Sequence, residues 1–527
     1  MMTLLAKATL KVLQGLDQPA RLPSRDKPRG VALILALVTI VILSTAVVEF
    51  AYATRLNLVL ASNERDSLKS LYLARSGVNL SRLLLAFQFG LQEESRGTDD
   101  EMGRLIGRAM TRSNFQMYQY IDLLMGPFNS GRVETPIGGI SLTEAGIGGF
   151  GNFTGRFDVK VLPEEGRIDI NQFARDEIRS GDLLQLCSMI LDTQYDGIFE
   201  QKDKAGELID RATMLQYIVD YVDINEEAIV LGGDCTIRGT GGDERRAYDR
   251  DDSHDVRPRN AMLTHVEELY QVHGMSEAFM RAFKDQLTVY GVGRPNLNVI
   301  GAPVFYSVLC QNVEGGQTGR AGDGQPAGSI CATNPQVAQE IFWYALALDG
   351  IRSFFEDPIS VLLAYVGSTE SKLLPSARTG QPVAFLNVSQ LPSYLNDLKQ
   401  NPILMAQFLN YSPAYQRLAS MNPAMMIDPV NPQFPQWTVE FNRAGLLRSV
   451  TAKTPSVYRI RSSGVYGTTE SKIEAVIDFS KTLRRLPNEK ALIGRETDPE
   501  ELQAIRGMLR EETERMPKGR VLYWREN

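Results

Sequence analysis

The 527-residue sequence predicts an α+β protein: a long N-terminal transmembrane and rod helix packed on a small antiparallel sheet, with a large, mainly helical domain inserted into that frame. Three observations predict it. Residues 31–89 contain no proline and keep helical apolar spacing. Two alternating stretches, residues 155–173 and 456–480, read as strands yet stand almost three hundred residues apart. The chain between them is patterned mostly as helix. With 43% hydrophobic and 23% charged residues it has the composition of a globular protein with two or three cores. A formal net charge of −7 argues against a generic nucleic-acid binder, which carries a basic excess.

The predicted divisions are a basic leader (1–30), the hydrophobic and rod helix (31–91), a first sheet portion with a β-hairpin (92–175), an inserted α-helical domain (176–300), a second mainly helical region (301–440), a C-terminal β-hairpin (441–483) and a charged tail (484–527). The leader carries Lys7, Lys11, Arg21, Arg25, Lys27 and Arg29 against Asp17 and Asp26. Residues 31–48 then hold no charge, enough helix to span roughly 30 Å of hydrocarbon at the lower limit. The basic flank predicts a cytoplasmic N-terminus and an exported remainder. A cleaved secretory signal would end in small residues, but Glu49, Phe50, Tyr52 and Arg55 follow, and Leu56, Val59, Leu60, Leu68, Leu71 and Tyr72 continue the helical rhythm. A continuous helix over residues 31–89 would be about 90 Å long, the shape of a filament subunit.

Beyond the helix, the glycine content of residues 138–155 predicts a loop. Phe157, Val159 and Val161 alternate up to Pro163-Glu164-Glu165-Gly166, with Ile168 and Ile170 after it, which predicts a β-hairpin whose two turn carboxylates are solvated. Val457–Arg461 and Lys472–Phe479 predict a second hairpin. Residues 205–229 form an amphipathic helix ending in Asp220, Asp223, Asn225, Glu226 and Glu227, and a polar loop adds Asp243, Glu244, Asp249, Asp251 and Asp252. Residues 260–291 have the rhythm of a helix-hairpin-helix (SAM-like) unit, and residues 384–398 hint at a second one. The four cysteines, at 187, 235, 310 and 331, form no CxxC pair. Cys310 and Cys331 bracket a loop rich in Gly and Gln that a disulfide would close in an oxidising compartment, although connectivity does not follow from sequence.

The acidic cluster offers the hard oxygen ligands that calcium takes, and equally a solvated acidic face. Asp223, Asn225 and Glu227 alternate as in the opening of an EF-hand loop, but Ala228 stands where glycine is needed. No constellation asks for catalysis: His254, His265 and His273 have no metal-ligand spacing, and there is no GxSxG, Walker loop or GxGxxG after a strand.

The junction Lys27-Pro28-Arg29-Gly30 before Val31 resembles a type IV prepilin cleavage site. The resemblance implies cutting after Gly30 by a prepilin peptidase and N-methylation of Val31. Most such proteins have glutamate at the fifth mature position, where this chain has Leu35. That carboxylate is thought to meet the terminal amine of the subunit above, so Leu35 points to a subunit with nothing above it. Asp220-Tyr221-Val222-Asp223, Glu267-Glu268-Leu269 with Gly274-Met275, Asn296-Leu297-Asn298 and Ala302-Pro303 resemble, in order, motifs of the minor pseudopilin K family of type II secretion, as does Val521-Leu522-Tyr523-Trp524-Arg525. The resemblance covers the first 90 residues, about 155–305 and about 450–527. It implies a non-enzymatic, single-pass inner-membrane protein with its bulk in the periplasm, at the tip of a pseudopilus. Implied partners are minor pseudopilins of the I, J and H types, the major pseudopilin and the inner-membrane assembly platform. It implies calcium at Asp223, Asn225 and Glu227 with Asp249 and Asp251. A minor pilin of a type IV pilus shares the leader and rod; a membrane-anchored helix-hairpin-helix DNA-binding protein is the third reading, disfavoured by the surrounding carboxylates.

Overall fold

Helix α1, Val31–Gly97, opens the fold and runs through both units into which the chain divides, residues 1–66 and 67–527. The computed structural model describes residues 31–97, 116–121, 125, 132–133, 140–141, 155–178, 180–191, 195–199, 208–248, 257–291, 293–314, 329–356, 384–428, 432–434, 437–480 and 519–526. The predicted leader with Gly30, the acidic residues Asp249, Asp251 and Asp252, His254 and most of the charged tail lie outside the described residues.

In the first unit, side chains from Val31 to Ala61 are exposed, and Leu33, Leu43 and Val48 are each more than half open. The hydroxyls of Thr39, Thr45 and Thr54 donate back to the carbonyls of Ala36, Val41 and Phe50 at 2.9, 3.0 and 2.8 Å, which satisfies them without water. Among the described helices this is the one long and apolar enough to cross a membrane, with a mean hydropathy of 2.9 over its most apolar window.

In the second unit, strand β1 (Arg156–Pro163) alternates buried and exposed side chains as its sequence requires. The chain then leaves the sheet through a 3-10 turn at Glu164–Gly166 and forms β2 (Ile168–Asp169). The insertion continues through α2 (Ser180–Ile190), α3 (Arg211–Val222), the hairpin of β3 (Glu227–Leu231) and β4 (Ile237–Asp243), α4 (Glu277–Phe283) and β5 (Leu287–Thr288). It goes on through α5 (Ala302–Gln311), α6 (Pro335–Glu356), α7 (Gln390–Gln400), α8 (Pro402–Leu409), α9 (Pro413–Met421) and α10 (Arg443–Ser449). One apolar core takes side chains from all along it, including Leu215, Phe283, Phe305, Tyr344, Leu395 and Leu446. The chain returns in β6 (Val457–Tyr466) and β7 (Thr469–Asp478), and ends in β8 (Arg520–Glu526). The sheet order is β8-β7-β6-β1, antiparallel throughout. Residues Arg156 to Pro163 pair in unbroken register with Val465 to Tyr458, so the insertion sits between two neighbouring strands.

Leu73, Ala74, Val78 and Leu85 of α1 bury against Phe157, Val159, Ile460 and Ile477 of the sheet. The helix and β6 lie so close that a Cβ on Gly464 would run into Ser70 O and Ala74 N. Ser70 Oγ and Ser471 Oγ, 2.6 Å apart, close the same seam. Arg75 donates twice to Glu526, at 2.9 Å each, tying α1 to the last strand.

Two expectations are corrected. β1 and β2 are not a hairpin: β1 pairs with β6, and β2 pairs in parallel with β5, Ile168 opposite Leu287. Nor are the turn carboxylates solvated. Glu164 is fully buried, accepting from Arg167 Nη1 at 2.9 Å, Arg459 Nε at 2.6 Å and Thr288 Oγ1 at 2.6 Å. Glu165 accepts from Ser456 N at 2.9 Å and Ser456 Oγ at 2.8 Å. The chain leaves and rejoins the sheet at this point, so both ends of the insertion converge over the turn and exclude water. The second predicted hairpin is present as β6–β7, joined at Gly467, whose φ of 60° suits a two-residue hairpin loop. Within the region expected to be a glycine-rich loop, Ile140 and Ser141 pair with Val133 and Arg132. The expected helix-hairpin-helix has a six-residue 3-10 first arm, Val266–Gln271, before α4, with Gly274 at φ 72° between them.

Candidate metal centre

Three carboxylates converge at the end of α3. Asp220 lies in its last turn and Asp223 is its C-cap, one turn on along the same face. The amphipathic helix expected over residues 205–229 is shorter, Arg211–Val222, because the chain turns into β3 at Glu227; its N-cap Asp210 accepts from Thr213 N at 2.8 Å. The β3–β4 hairpin then folds back, pairing Glu227 with Asp243, and delivers Glu244, the next residue, to the same spot. Ile229 N donates to Asp220 Oδ1 at 3.0 Å, fixing the hairpin to the helix end. Two disulfides brace the surroundings: Cys187–Cys235 joins α2 to the β3–β4 connection, and Cys310–Cys331 joins the end of α5 to the segment before α6, with Cα separations of 6.3 and 5.9 Å.

One ligand oxygen from each of Asp220, Asp223 and Glu244 lies within 4.8 Å of the other two, and all three residues are buried. Asp223 has no exposed surface; Asp220 and Glu244 are each 4% exposed. Burial lifts the Asp220 carboxyl to about 8, and the Glu244 charge adds to the rise. Asp223 is also raised, by burial first and then by Glu244 and Asp220; Glu244 is raised chiefly by burial. The negative end of the α3 dipole adds to the cost of ionising them. Asp223 Oδ1 and both Glu244 oxygens have no hydrogen-bond partner of good geometry. Asn260 lies beside Glu244 with its Oδ1 buried and unpartnered. Its Nδ2 donates to Asn225 O at 2.6 Å, and its backbone sits at φ 49°.

Buried ionised carboxylates need a cation or a proton, and these orphaned oxygens are hard donors of the kind that Ca²⁺ takes. The residues present therefore fit a divalent cation held by Asp220, Asp223 and Glu244. Of the residues singled out from sequence, the structure brings Asp223 into this cluster. Asn225 supports it from behind, donating from Nδ2 to Asp223 Oδ2 at 3.1 Å, while its Oδ1 accepts from Glu227 N. Glu227 is exposed on β3, and Asp249 and Asp251 fall outside the described residues. Asp220 and Glu244 were visible only as members of an acidic cluster; the three-residue spacing of Asp220 and Asp223 was a signal for the first, and nothing local marked the second.

The described histidines have packing roles. His265 sits 2.9 Å from Glu268 Oε1, and the His273 ring meets those of Tyr217 and Tyr248 edge-on at 5.2 and 5.8 Å.

No protein-family model matches the sequence, and no curated protein does. Among solved structures, the chain is similar to one in the GspK-GspI-GspJ complex of the type 2 secretion system from enterotoxigenic Escherichia coli. The sequences are 11% identical, the match covers 82% of this chain and 99% of that one, and the TM-score is 0.33.

Proposed function

We propose that the chain is a non-enzymatic minor pseudopilin, a structural subunit at the tip of a type II secretion pseudopilus that helps initiate its assembly. One observation carries this reading: α1 is apolar on two opposite faces. One face of residues 67–89 is buried on the sheet through Ala74, Val78 and Leu85. Leu68, Tyr72, Leu83 and Phe87 are each more than half exposed, and at 3.6 residues per turn they fall within an arc of about 100° on the other side, as two apolar pairs with the exposed Ser76 and Asn79 between them. An open apolar stripe of this kind suits the helix of a neighbouring subunit. The uncharged stretch 31–48 serves as the single-pass inner-membrane anchor, with a leader removed after Gly30 and Val31 as the methylated first residue. Leu35 supports a tip position, because a carboxylate there would need a terminal amine above it. Two disulfides suit a periplasmic location for the bulk of the chain.

The partners are then the minor pseudopilins of the I, J and H types, the major pseudopilin and the assembly platform, not nucleic acid. Calcium, when bound, neutralises the charge of Asp220, Asp223 and Glu244; the residues themselves hold the end of α3 to the β3–β4 hairpin.

The test is expression with and without prepilin peptidase, followed by determination of the mature N-terminus and of the proteins that co-purify. A chain beginning at Val31 only when the peptidase is present, and retaining I- and J-type subunits, is expected. A chain beginning at Met1 in both cases sinks the reading, and retention of pilus subunits instead assigns it to a type IV pilus.

A further inference from the structure

Two adjoining hollows lie between α6 and α9, beneath the N-terminus of α5. The first, about 510 Å³, is floored by Ala338, Phe342 and Trp343 of α6 and flanked by Tyr306, Leu418 and Met421. The second, about 350 Å³, shares Tyr306, Phe342, Leu418 and Met421 with it, so the two form one trough. Either volume is within the range of a binding site, and the ends of the trough differ in chemistry. The first end is apolar and aromatic, with Met425 beside it and Met421 74% exposed at the lip. The second is bordered by Arg281, Arg352 and Arg417 against one carboxylate among the described residues, Asp349. That carboxylate is already satisfied, accepting from Arg352 Nη2 at 3.0 Å and Ser412 Oγ at 2.7 Å. Arg281 has only a loose, exposed pairing with Glu277 at 4.0 Å, and Arg417 donates through Nε to Pro413 O at 3.2 Å. Positive charge is therefore left facing the second hollow.

We infer that this trough receives an amphipathic, acidic segment of another polypeptide. A bulky apolar side chain enters between Phe342 and Met421, and carboxylates meet Arg281 and Arg417. The open lip and two-part shape suit a peptide chain, since a small-molecule site encloses most of its ligand. Methionines at the lip suit a pocket that adapts to more than one apolar anchor, and the guanidinium groups set the required charge.

The test uses the full chain in nanodiscs and two fluorescein-labelled helical peptides of roughly fourteen residues, read by fluorescence anisotropy. One carries Leu and Phe on one face and Glu on the other; the second has every Glu replaced by Lys. The acidic peptide is expected to bind at least about tenfold more tightly than the basic one. Arg281→Glu with Arg417→Glu reverses that preference, and Ala338→Trp, which fills the apolar end, weakens the acidic peptide by about tenfold or more. If Ala338→Trp disturbs folding, Met421→Asp at the exposed lip supplies the same reading. Equal affinity for both peptides, no binding of either, or an acidic-peptide affinity unchanged by Met421→Asp overturns the inference. The readout is independent of whether the chain joins a pseudopilus.

Discussion

Removing divalent cation should make this protein lose stability as pH rises, against the usual behaviour of surface carboxylates. Asp220 has its folded-state pKa raised from 3.8 to about 8. Its carboxyl is therefore protonated in the folded state and ionised in the unfolded state between those values. Unfolding releases a proton there, so the stability is fully present below about pH 4 and drains away as pH climbs toward 8. At pH 7 the pH lies about three units above the unfolded value, and at 1.36 kcal/mol per unit the loss from this one group is about 4 kcal/mol. Asp223 and Glu244 are raised too and act in the same direction. A cation reverses the trend by taking the place of the protons. At a hundred times its Kd, calcium restores about 2.7 kcal/mol. The assay is thermal unfolding in chelator and in calcium at pH 5, 7 and 8, with titration calorimetry in buffers of different ionisation enthalpy. In chelator the Tm should fall between pH 5 and 8; in calcium it should be held up by several degrees, with at least one proton released per ion bound near pH 7. Asp223→Asn should raise the Tm in chelator at pH 8 while abolishing the calcium response, a pairing that a merely damaging substitution would not produce. A chelator-state Tm indifferent to pH, or calcium binding without proton release, would refute the reasoning.

Glu164→Ala leaves Arg167 and Arg459 buried without their shared carboxylate and should cost about 3–5 kcal/mol in urea unfolding; a loss under about 1 kcal/mol would mean that water already reaches the turn. Gly464→Val drives a side chain into the α1 backbone at Ser70 and Ala74 and should cost about 1–3 kcal/mol or more, read as a lower urea midpoint. Leu83→Lys on the open stripe should leave stability within about 0.5 kcal/mol yet abolish co-purification with I- and J-type subunits, and retained co-purification would show that this stripe is not the contact. Cys187→Ala with Cys235→Ala frees the hairpin that carries Glu244; it should cost about 2–4 kcal/mol and lower calcium affinity by isothermal titration, whereas unchanged affinity would detach the disulfide from the cation site.

Much of the frame was legible because its signals are local. The uncharged run from Val31, the apolar repeat through Leu85 and the alternation around Gly467 each fall within a few turns or strand lengths of one another. Their periods match helix and strand regardless of what packs on them. The second edge of the sheet was less readable: Val521-Leu522-Tyr523-Trp524 lies after a long charged stretch, and only pairing with Ile473 to Asp478 makes it a strand.

By itself the sequence determined the long apolar helix, the β6–β7 hairpin and the acidic character of the end of α3. Tertiary structure decided what these became. Glu164 and Glu165 look like solvated turn residues until the start of β6, almost three hundred residues on, brings Arg459 and, just before the strand, Ser456 over them. Asp220 and Asp223 are helical neighbours, but Glu244 joins them only because the β3–β4 hairpin folds back. A local pattern fixes backbone period and face, whereas the dielectric and the partners around a charge come from chain segments distant in sequence, and those determine whether a carboxylate is solvated or buried.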